Sequence, residues 1–256
     1  MPETFSTSAP PVVCGPPLHD LARQSLFFDF DGTLVDIAPT PDSIVVPDAL
    51  IDALRVLSGR MPGRIAIVSG RSLAQLDMFL GSFASEIAIA GSHGAELRAP
   101  DAVARLRERP SGLDRAGSAF ARFAQEHGLY FEHKTLGVAV HYRLKPALEA
   151  EAAALAEMLA GRYGLLLQRG KMMVELRVDG DKGRAVAALM ALPHMAGTVP
   201  LVFGDDITDE DGFVTAEIAG GAGVLVDRPR ETHARYRLPD VASVHAWIRT
   251  AIEATA

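Results

Sequence analysis

The 256-residue sequence has a single cysteine, no long apolar run and no excess of basic residues. The lone Cys14 cannot form an internal disulfide, which excludes a disulfide-stapled fold and agrees with a reducing compartment. No stretch approaches the roughly 18 apolar residues of a membrane span, and the first basic residue is Arg23, so we expect neither a membrane segment nor a signal peptide. Twenty-five basic against 32 acidic residues give a net charge of −7, which disfavours nucleic acids and anionic membranes as partners. These absences predict a cytoplasmic protein.

The sequence does have a hydrophobic content of 48%, enough for the core of one large or two smaller α/β units. Its first 24 residues differ, because they combine five prolines with Ser, Thr and Gly. Such a composition buries too little surface to order itself, so we predict a flexible Pro-rich tail over 1–24. Cys14 lies in that segment, and its thiol is interpreted as incidental to function.

From Ser25 onward, short apolar runs end in Gly or Asp and are followed by stretches of helical periodicity. This alternation predicts an α/β fold with a Rossmann-like, parallel central sheet. The predicted strands are 26–28, 64–68, 86–90, 201–203 and 223–226. The predicted helices are 48–58, 73–80, 183–191 and 210–219.

The middle of the chain has a different pattern. Two helical stretches, 113–127 and 147–162, each precede a pair of strands with clear alternation. Helix-strand-strand repeated twice predicts an antiparallel sheet with helices on one face, an α+β domain. We therefore divide the chain into a core domain over 25–97 and 179–256, with an inserted domain over 98–178.

Two aspartates follow the first predicted strand, in the run Asp-Phe-Asp-Gly-Thr at 29–33. Asp29 and Asp31 project to the same side of an extended chain, at the strand end where open α/β sheets bind ligands. Neighbouring carboxylates do not both ionise readily, which predicts a nucleophile beside an acid/base group, or a bound cation. The spacing of a calcium-binding EF-hand fails at positions 33, 34 and 40, whereas a plain surface turn remains an alternative.

A second acidic run follows the strand at 201–203, where five of the seven residues from 205 to 211 are acidic. Oxygen ligands at this density predict a hard cation, Mg²⁺. The later acids also suit the start of the next helix, where negative charge complements the helix dipole. We therefore rank Asp205 first as a metal ligand, Asp206 second and Asp209 third.

Two single residues complete the set. Ser69 follows a predicted strand at a turn suited to an anion, although a helix N-cap is the alternative. Lys182 opens a predicted helix, where a cation is electrostatically disfavoured unless an anion lies in front of it. A solvent-exposed surface lysine is the alternative there.

In this order the motifs resemble those of the haloacid dehalogenase (HAD) superfamily of phosphotransferases. The matching positions are 29–33, Ser69, Lys182 and 204–206. The resemblance implies that the inserted domain is a cap over the site. It also implies that Asp29 attacks phosphorus to form an aspartyl-phosphate and that Asp31 is the acid/base. The implied groups are catalytic Asp29, Asp31, Ser69 and Lys182, with Mg²⁺ on Asp29, the Asp31 carbonyl, Asp205 and Asp206.

The cap must determine which phosphate ester is bound. On the predicted strand 137–143, alternate residues Val138, Val140 and Tyr142 share one face, and His141 and Arg143 share the other. The strand 171–178 alternates in the same way, so its polar side chains are expected to face the core. Fixed donors and acceptors above a phosphate site suit a hydroxyl-rich group such as a sugar. An ordinary solvated sheet face is the alternative.

The chain further resembles the trehalose-6-phosphate phosphatase family, through the segments 29–34, 39–41, 91–96, 141–143, 170–175 and 204–210. The resemblance implies a Mg²⁺-dependent, monomeric phosphatase that hydrolyses trehalose 6-phosphate, a small-molecule sugar phosphate, in the last step of trehalose biosynthesis. The implied substrate-binding residues are Gly70, Arg71, His93, Arg143, Lys171 and Glu175. The Pro-rich tail is not part of the family pattern.

Four other functions remain open. Another phosphatase of the superfamily would act on sucrose phosphate or mannosyl-3-phosphoglycerate, and a phosphomutase is more distant. A non-catalytic regulator that binds sugar phosphates would have lost a catalytic group, whereas Asp29, Lys182 and Asp205 are all present. An acidic metal-binding scaffold would not need a lysine at a helix start.

Overall fold

The computed structural model describes residues 13–18, 20–38, 43–100, 105–106, 108–170 and 172–255. Its strands are β1 (Val13–Cys14), β2 (Gln24–Phe28), β3 (Ile65–Val68), β4 (Ala88–Gly91), β5 (Glu96–Arg98), β6 (Arg105–Leu106), β7 (Tyr130–His133), β8 (Gly137–His141), β9 (Leu166–Gly170), β10 (Met173–Arg177), β11 (Val199–Gly204), β12 (Ala222–Val226) and β13 (Tyr236–Leu238). Its α-helices are α1 (Asp48–Arg60), α2 (Leu73–Leu80), α3 (Ser111–His127), α4 (Glu149–Tyr163), α5 (Lys182–Met190), α6 (Glu210–Ile218) and α7 (Val241–Ala254). Among these described helices, none is long and apolar enough to cross a membrane.

The strands form two sheets. The larger has nine strands in the order β1-β13-β12-β11-β2-β3-β4-β5-β6. All neighbouring pairs in that order are parallel as far as β3 with β4. The last two pairs, β4 with β5 and β5 with β6, are antiparallel and lie at one edge. The smaller sheet is antiparallel, in the order β7-β8-β10-β9. This arrangement confirms the predicted α/β class, with its mostly parallel sheet and separate antiparallel unit.

The central strand β2 is buried on both faces because its side chains alternate between two hydrophobic clusters. Leu26 and Phe28 pack with the buried faces of α1, α2 and α7, whereas Phe27 packs with α5 and α6. Both faces of the parallel sheet are therefore covered by helices, as a near-continuous apolar strand requires. The neighbours of β2 are β11 and β3, so the three strands that end in predicted site residues lie side by side.

The inserted domain has its own core. The apolar sides of α3 and α4 pack on Val138, Val140 and Val174 of the antiparallel sheet. The helices cover only that face, so the polar side chains at alternate positions are left on the opposite face. This is the two-sided cap sheet that the alternation of 137–143 and 171–178 predicts.

The predicted tail is too long. Val13–Cys14 pairs in parallel with β13, the Trp247 indole donates to the Pro16 carbonyl at 3.1 Å, and Leu21 is buried. Composition averaged over a Pro-rich segment does not reveal such single contacts with a distant helix. Residues 1–12 and position 19 lie outside the described residues.

The short strand β6 and the C-terminal helix α7 also differ from the prediction. The predicted cap begins at 98, whereas β6 still pairs with β5 in the core sheet, so the first cap element is α3. Helix α7 is not among the predicted helices, although Asp240 caps its start and apolar residues recur in it with helical spacing. By contrast, α2 begins and ends where predicted, because Ser72 and Gly81 supply a strong N-cap and a positive-φ C-cap.

Candidate active site

A cavity lies between the carboxyl ends of the parallel strands and the polar face of the cap sheet. We call it the interdomain cavity. It is lined from the core by Asp29, Asp31, Ile37, Ala38, Ile44, Ser69, Gly70, Arg71, His93, Lys182, Asp205, Asp206 and Thr208, and from the cap by Glu132, Lys134, His141, Arg143, Gln168, Gly170, Met173 and Glu175. Every predicted site residue among the described residues lines this cavity, apart from the third-ranked metal ligand Asp209, which is buried next to it. Lys171 lies outside the described residues.

Asp29 is held at the centre of the core wall. It follows β2, and its backbone N–H donates to the Phe203 carbonyl at 2.9 Å, which fixes it against β11. Its side chain is buried, and one carboxylate oxygen lies 3.0 Å from the Lys182 ammonium. A buried carboxylate with a single fixed direction towards the cavity suits a nucleophile.

Lys182 bridges two buried carboxylates. Its ammonium lies 2.6 Å from Asp209 and 3.0 Å from Asp29, and its side chain is only 4% exposed. Burial alone would lower the pKa of Lys182, but the two carboxylates outweigh burial and raise its pKa above the ordinary value. The lysine is therefore charged, and the alternative of an exposed surface lysine is excluded by its burial.

Three carboxylates converge beside this lysine. Oxygen atoms of Asp29, Asp205 and Asp209 all lie within 4.8 Å of one another. Gly32 permits the approach, because its φ is +82° and a side chain there would collide with the Asp205 carboxylate. Burial raises the pKa of Asp29 well above its ordinary value, Lys182 opposes that shift, and the neighbouring acids add to it. Oxygen-only ligands in this number fit a hard cation such as Mg²⁺.

This set differs from the predicted metal ligands at Asp206. The Asp206 side chain is exposed and accepts from the Ile207 N–H at 2.6 Å, so it caps the short helical turn Ile207–Asp209. Asp209 is buried, and its second oxygen accepts from the Asp206 N–H at 2.9 Å. Asp209 and not Asp206 therefore joins the cluster with Asp29 and Asp205, because the turn begins at Ile207, which an acidic run alone does not specify. The role predicted for Asp206 as a metal ligand stays a prediction.

Asp31 has a different partner from Asp29. Both of its oxygens accept from the Arg71 guanidinium, at 2.7 and 2.8 Å. Arg71 in turn stacks over Phe79, with its central carbon 4.8 Å from the ring centre. The carboxylate of Asp31 thus belongs to a fixed ion pair and not to the cluster of the other three acids. The role predicted for its backbone carbonyl stays a prediction.

The loops after β3 and β4 form the next part of the wall. Ser69 is buried, and its hydroxyl accepts from the Arg71 N–H at 3.2 Å. His93 donates its backbone N–H to the Ser69 carbonyl at 2.9 Å and adopts a positive φ of 55°. Burial lowers the pKa of His93 well below its ordinary value, and Arg177 and Lys182 add to that shift, so the imidazole is neutral.

The cap wall carries two charged residues, Lys134 and Glu132, that are not among the predicted site residues. Lys134 donates to the Glu175 carboxylate at 2.6 Å; the Glu175 side chain is buried, and that of Lys134 is 10% exposed. Glu132 accepts from His141 at 3.0 Å. Burial would raise the pKa of Glu132, but hydrogen bonds from His141 and Gln75 and the charge of Lys134 outweigh it and lower the pKa to about 2. The alternation of β7 was the signal, because Glu132 lies directly opposite Ala139 and on the same face as Glu175.

The family model described as trehalose-phosphatase matches residues 27–242 of the chain. A trehalose-6-phosphate phosphatase of Escherichia coli (strain K12) is 36% identical over 231 residues, covering 89% of this chain and 86% of that protein.

Solved structures agree on the fold. The C-terminal domain of a Candida albicans trehalose-6-phosphate phosphatase is similar with a TM-score of 0.77 and 25% identity, covering 90% of this chain and 92% of that one. A haloacid dehalogenase-like hydrolase from Bacteroides thetaiotaomicron has a TM-score of 0.61 at 14% identity, covering 89% of this chain and 98% of that one. The second likeness concerns the fold alone, and the predicted HAD-type architecture is confirmed.

Proposed function

The chain belongs to the trehalose-phosphatase family, and we propose that it is a phosphoric monoester hydrolase that cleaves trehalose 6-phosphate to trehalose and phosphate, the last step of trehalose biosynthesis. One observation carries the proposal: a buried Asp29, ion-paired with Lys182, faces a polar cap wall across a single cavity. Because one chain supplies both walls, we include in the proposal that the enzyme works as a monomer.

The chemistry has two steps. In the first, a carboxylate oxygen of Asp29 attacks phosphorus, the bond from phosphorus to the sugar oxygen breaks, and Asp31 gives its proton to that oxygen. In the second, water attacks the aspartyl-phosphate, Asp31 takes a proton from the water, and Asp29 is released as a carboxylate. Lys182 and Ser69 line the same wall as Asp29 and would bind phosphoryl oxygens.

The ion pair of Asp31 with Arg71 bears on the order of these steps. The Arg71 guanidinium donates to both oxygens of Asp31, so this contact must open before an Asp31 oxygen can face the leaving oxygen of the sugar. The first step needs a protonated Asp31. We infer that the phosphate of the substrate attracts the Arg71 guanidinium and loosens the pair before Asp31 donates. Arg71 would thus have two partners in turn: Asp31, as in the structure, and then the substrate, as predicted from the sequence.

The cluster of Asp29, Asp205 and Asp209 would hold Mg²⁺, because three carboxylates within 4.8 Å supply the oxygen ligands that this ion prefers. When bound, Mg²⁺ would offset negative charge on the phosphoryl group. The protein residues do the rest: Asp29 forms and breaks the covalent bond, and Lys182 keeps it oriented. The donor set contains no sulfur or imidazole, which disfavours softer metals.

The cap wall suits a sugar. Glu132 and Glu175 are acceptors, whereas Lys134 and Arg143 are donors, and all four line the cavity. Lys134 and Glu175 are held by a 2.6 Å contact, so the remaining lone pairs of the carboxylate and protons of the ammonium have defined directions. Ordered donors and acceptors of this kind bind hydroxyl groups with preference for one arrangement. Lys171 and His93 remain predicted contacts of the sugar.

A substrate panel tests the proposed activity. Phosphate release is measured with trehalose 6-phosphate, glucose 6-phosphate, sucrose 6-phosphate and mannosyl-3-phosphoglycerate at equal concentration in Mg²⁺. We expect trehalose 6-phosphate to have the highest kcat/KM by about tenfold or more, because the monosaccharide loses the cap contacts of one ring. Equal kcat/KM values for trehalose 6-phosphate and glucose 6-phosphate would overturn the disaccharide assignment.

A variant tests the nucleophile. Asp29→Asn is expected to lower kcat by about 10³-fold or more, because an amide does not attack phosphorus in this way. Asp52→Asn is the matched control, since the Asp52 side chain is 77% exposed on α1 and makes only a loose contact with Arg55. If Asp29→Asn keeps a tenth of the wild-type kcat while Asp52→Asn is unchanged, the nucleophile assignment is wrong.

A further inference from the structure

Gln75 joins the core to the cap at the edge of the interdomain cavity. It lies on the first turn of α2, and its amide N–H donates to a carboxylate oxygen of Glu132 on β7 at 3.0 Å. Glu132 lines the cavity, whereas Gln75 does not. Gln75 of the core therefore contacts Glu132, a candidate substrate-binding residue of the cap, without itself lining the cavity.

The orientation of the Gln75 amide is fixed by the start of its own helix. Its side-chain oxygen accepts from the Ser72 backbone N–H at 3.0 Å, and its backbone N–H donates to the Ser72 hydroxyl at 3.3 Å. These two bonds form a capping box. With the oxygen turned to the helix start, the amide nitrogen must point the other way, to Glu132. Because a backbone N–H only donates and a carboxylate only accepts, the reverse orientation of the amide would lose both contacts.

Glu132 is held from two sides. One carboxylate oxygen accepts from Gln75 of the core, and the other accepts from His141 of the neighbouring cap strand at 3.0 Å. The side chain is 7% exposed. Its direction in the cavity is thus set jointly by the cap sheet and by a core helix. A second contact across the same boundary runs from Arg143 of the cap to the Ala38 carbonyl of the core at 3.1 Å.

We propose that Gln75 is a positioning residue that latches the cap onto the core and holds the Glu132 carboxylate in its place against the sugar. The inference rests on the proposed function, because it takes the occupant of the cap wall to be a sugar. A single hydrogen bond between a neutral donor and a charged acceptor suits a latch. The bond favours the arrangement of cap and core described here, yet it would break readily when substrate enters or product leaves.

Gln75→Glu is the decisive variant. The carboxylate has the same shape and still accepts from the Ser72 N–H, so the capping box is kept. It has no proton for Glu132 and sets a like charge against it. We expect KM for trehalose 6-phosphate to rise by about tenfold or more, the effect of losing a hydrogen bond to a charged group, with kcat changed less. Hydrolysis of p-nitrophenyl phosphate, which has no sugar hydroxyls, should change by less than about twofold.

Ser72→Ala is the matched control for helix stability. It removes the capping hydroxyl, but the Ser72 N–H still holds the Gln75 oxygen, so the bond to Glu132 remains. We expect a lower Tm with KM within about twofold of the wild type. If Gln75 had only a structural role, Ser72→Ala would raise KM as Gln75→Glu does, and that result would overturn the proposal.

A double variant tests the pairing directly. In Gln75→Glu combined with Glu132→Gln, donor and acceptor exchange places, so the contact can form again. Each single variant is expected to raise KM by some factor over the wild type. We expect the factor for the double variant to be at least about fivefold smaller than the product of the two single factors. Independent effects that multiply without coupling, or a KM of Gln75→Glu within twofold of the wild type, would refute the latch.

The latch and the proposed function fail in different ways. If the wild-type enzyme does not cleave trehalose 6-phosphate, the proposed function is wrong, and the latch is then judged without substrate. Amide hydrogen exchange of β7 in the free enzyme should be faster in Gln75→Glu than in the wild type, because the cap opens more often. Unchanged exchange in β7 would overturn the latch whatever the substrate.

Discussion

Replacing Lys182 by methionine tests how the buried charges of the site are balanced. The ammonium lies 2.6 Å from Asp209 and 3.0 Å from Asp29, in a side chain that is 4% exposed. Methionine keeps most of the volume and removes the charge. The carboxylates of Asp29 and Asp209, whose oxygens lie within 4.8 Å of each other, then face one another without the lysine.

The cost follows from these distances. Two like unit charges 4.8 Å apart repel by about 3 kcal/mol at an effective dielectric constant of about 20. Removing one partner of a buried ion pair typically costs about 3–5 kcal/mol. We therefore expect Lys182→Met to lower the free energy of unfolding by about 3–5 kcal/mol in a chelator, or the Tm by roughly 10 °C. That is a large fraction of the stability of a domain.

Thermal unfolding in EDTA and in Mg²⁺ measures the effect. Mg²⁺ should narrow the difference in Tm between Lys182→Met and the wild type. Without the ammonium the carboxylates carry more uncompensated negative charge, so the variant should bind the cation more tightly and gain more stability from it by mass action. Lys145→Met is the matched control, since that lysine is exposed and its ammonium donates to a neutral group, the His127 carbonyl; the substitution should cost less than about 1 kcal/mol. A Tm for Lys182→Met within about 2 °C of the wild type in EDTA would refute the electrostatic reasoning.

Two further predictions concern acid stability and backbone geometry. The pKa of Glu132 is lowered from 4.5 to about 2, so its contribution of about 3 kcal/mol is present above pH 4.5 and is lost as the pH falls towards 2. The free energy of unfolding, measured in urea, should fall less between pH 7 and pH 3 in Glu132→Gln than in the wild type. An equal fall in the two proteins would contradict the lowered pKa of Glu132. Gly32→Ala should lower kcat by about tenfold or more, because the methyl group at a positive φ displaces Asp205. Gly59→Ala, in open space on α1, is its control, and a Gly32→Ala enzyme with wild-type kcat would show that Asp205 tolerates displacement.

The fold could be predicted where local signals and long-range packing agree. Short apolar runs gave the central strands, since buried parallel strands need no long-range information to be identified. The pairing of β1 with β13 and the contact of Trp247 with Pro16 were not predictable, because each joins segments more than 200 residues apart. The start of the cap was misplaced for a similar reason, as β6 is assigned to the core only by its partner strand.

The candidate site also contains some residues that local sequence patterns predict and others whose contacts depend on distant parts of the chain. Asp29, Ser69 and Lys182 were identified because each follows a strand or opens a helix, which local patterns indicate. The partner of Asp31 was not, because Arg71 reaches it only through the neighbouring positions of β2 and β3. Gln75 was also missed, since its role depends on a cap strand 57 residues away.

The charges of the cavity explain why its two ends suit different parts of one substrate. Among the described residues of the cap end, the two carboxylates Glu132 and Glu175 are matched by the two cations Lys134 and Arg143, and a wall without excess charge suits uncharged hydroxyl groups. At the core end the charges are not matched. Among the described residues, two cations, Lys182 and Arg71, lie there with four carboxylates that are at least partly buried, Asp29, Asp31, Asp205 and Asp209, and with the exposed Asp206. A phosphate dianion is repelled by such an excess unless further positive charge is present, and a divalent cation would offset two of these negative charges. The acidic core end is therefore itself an argument for a divalent cation, although the net charge of the chain disfavours anionic partners.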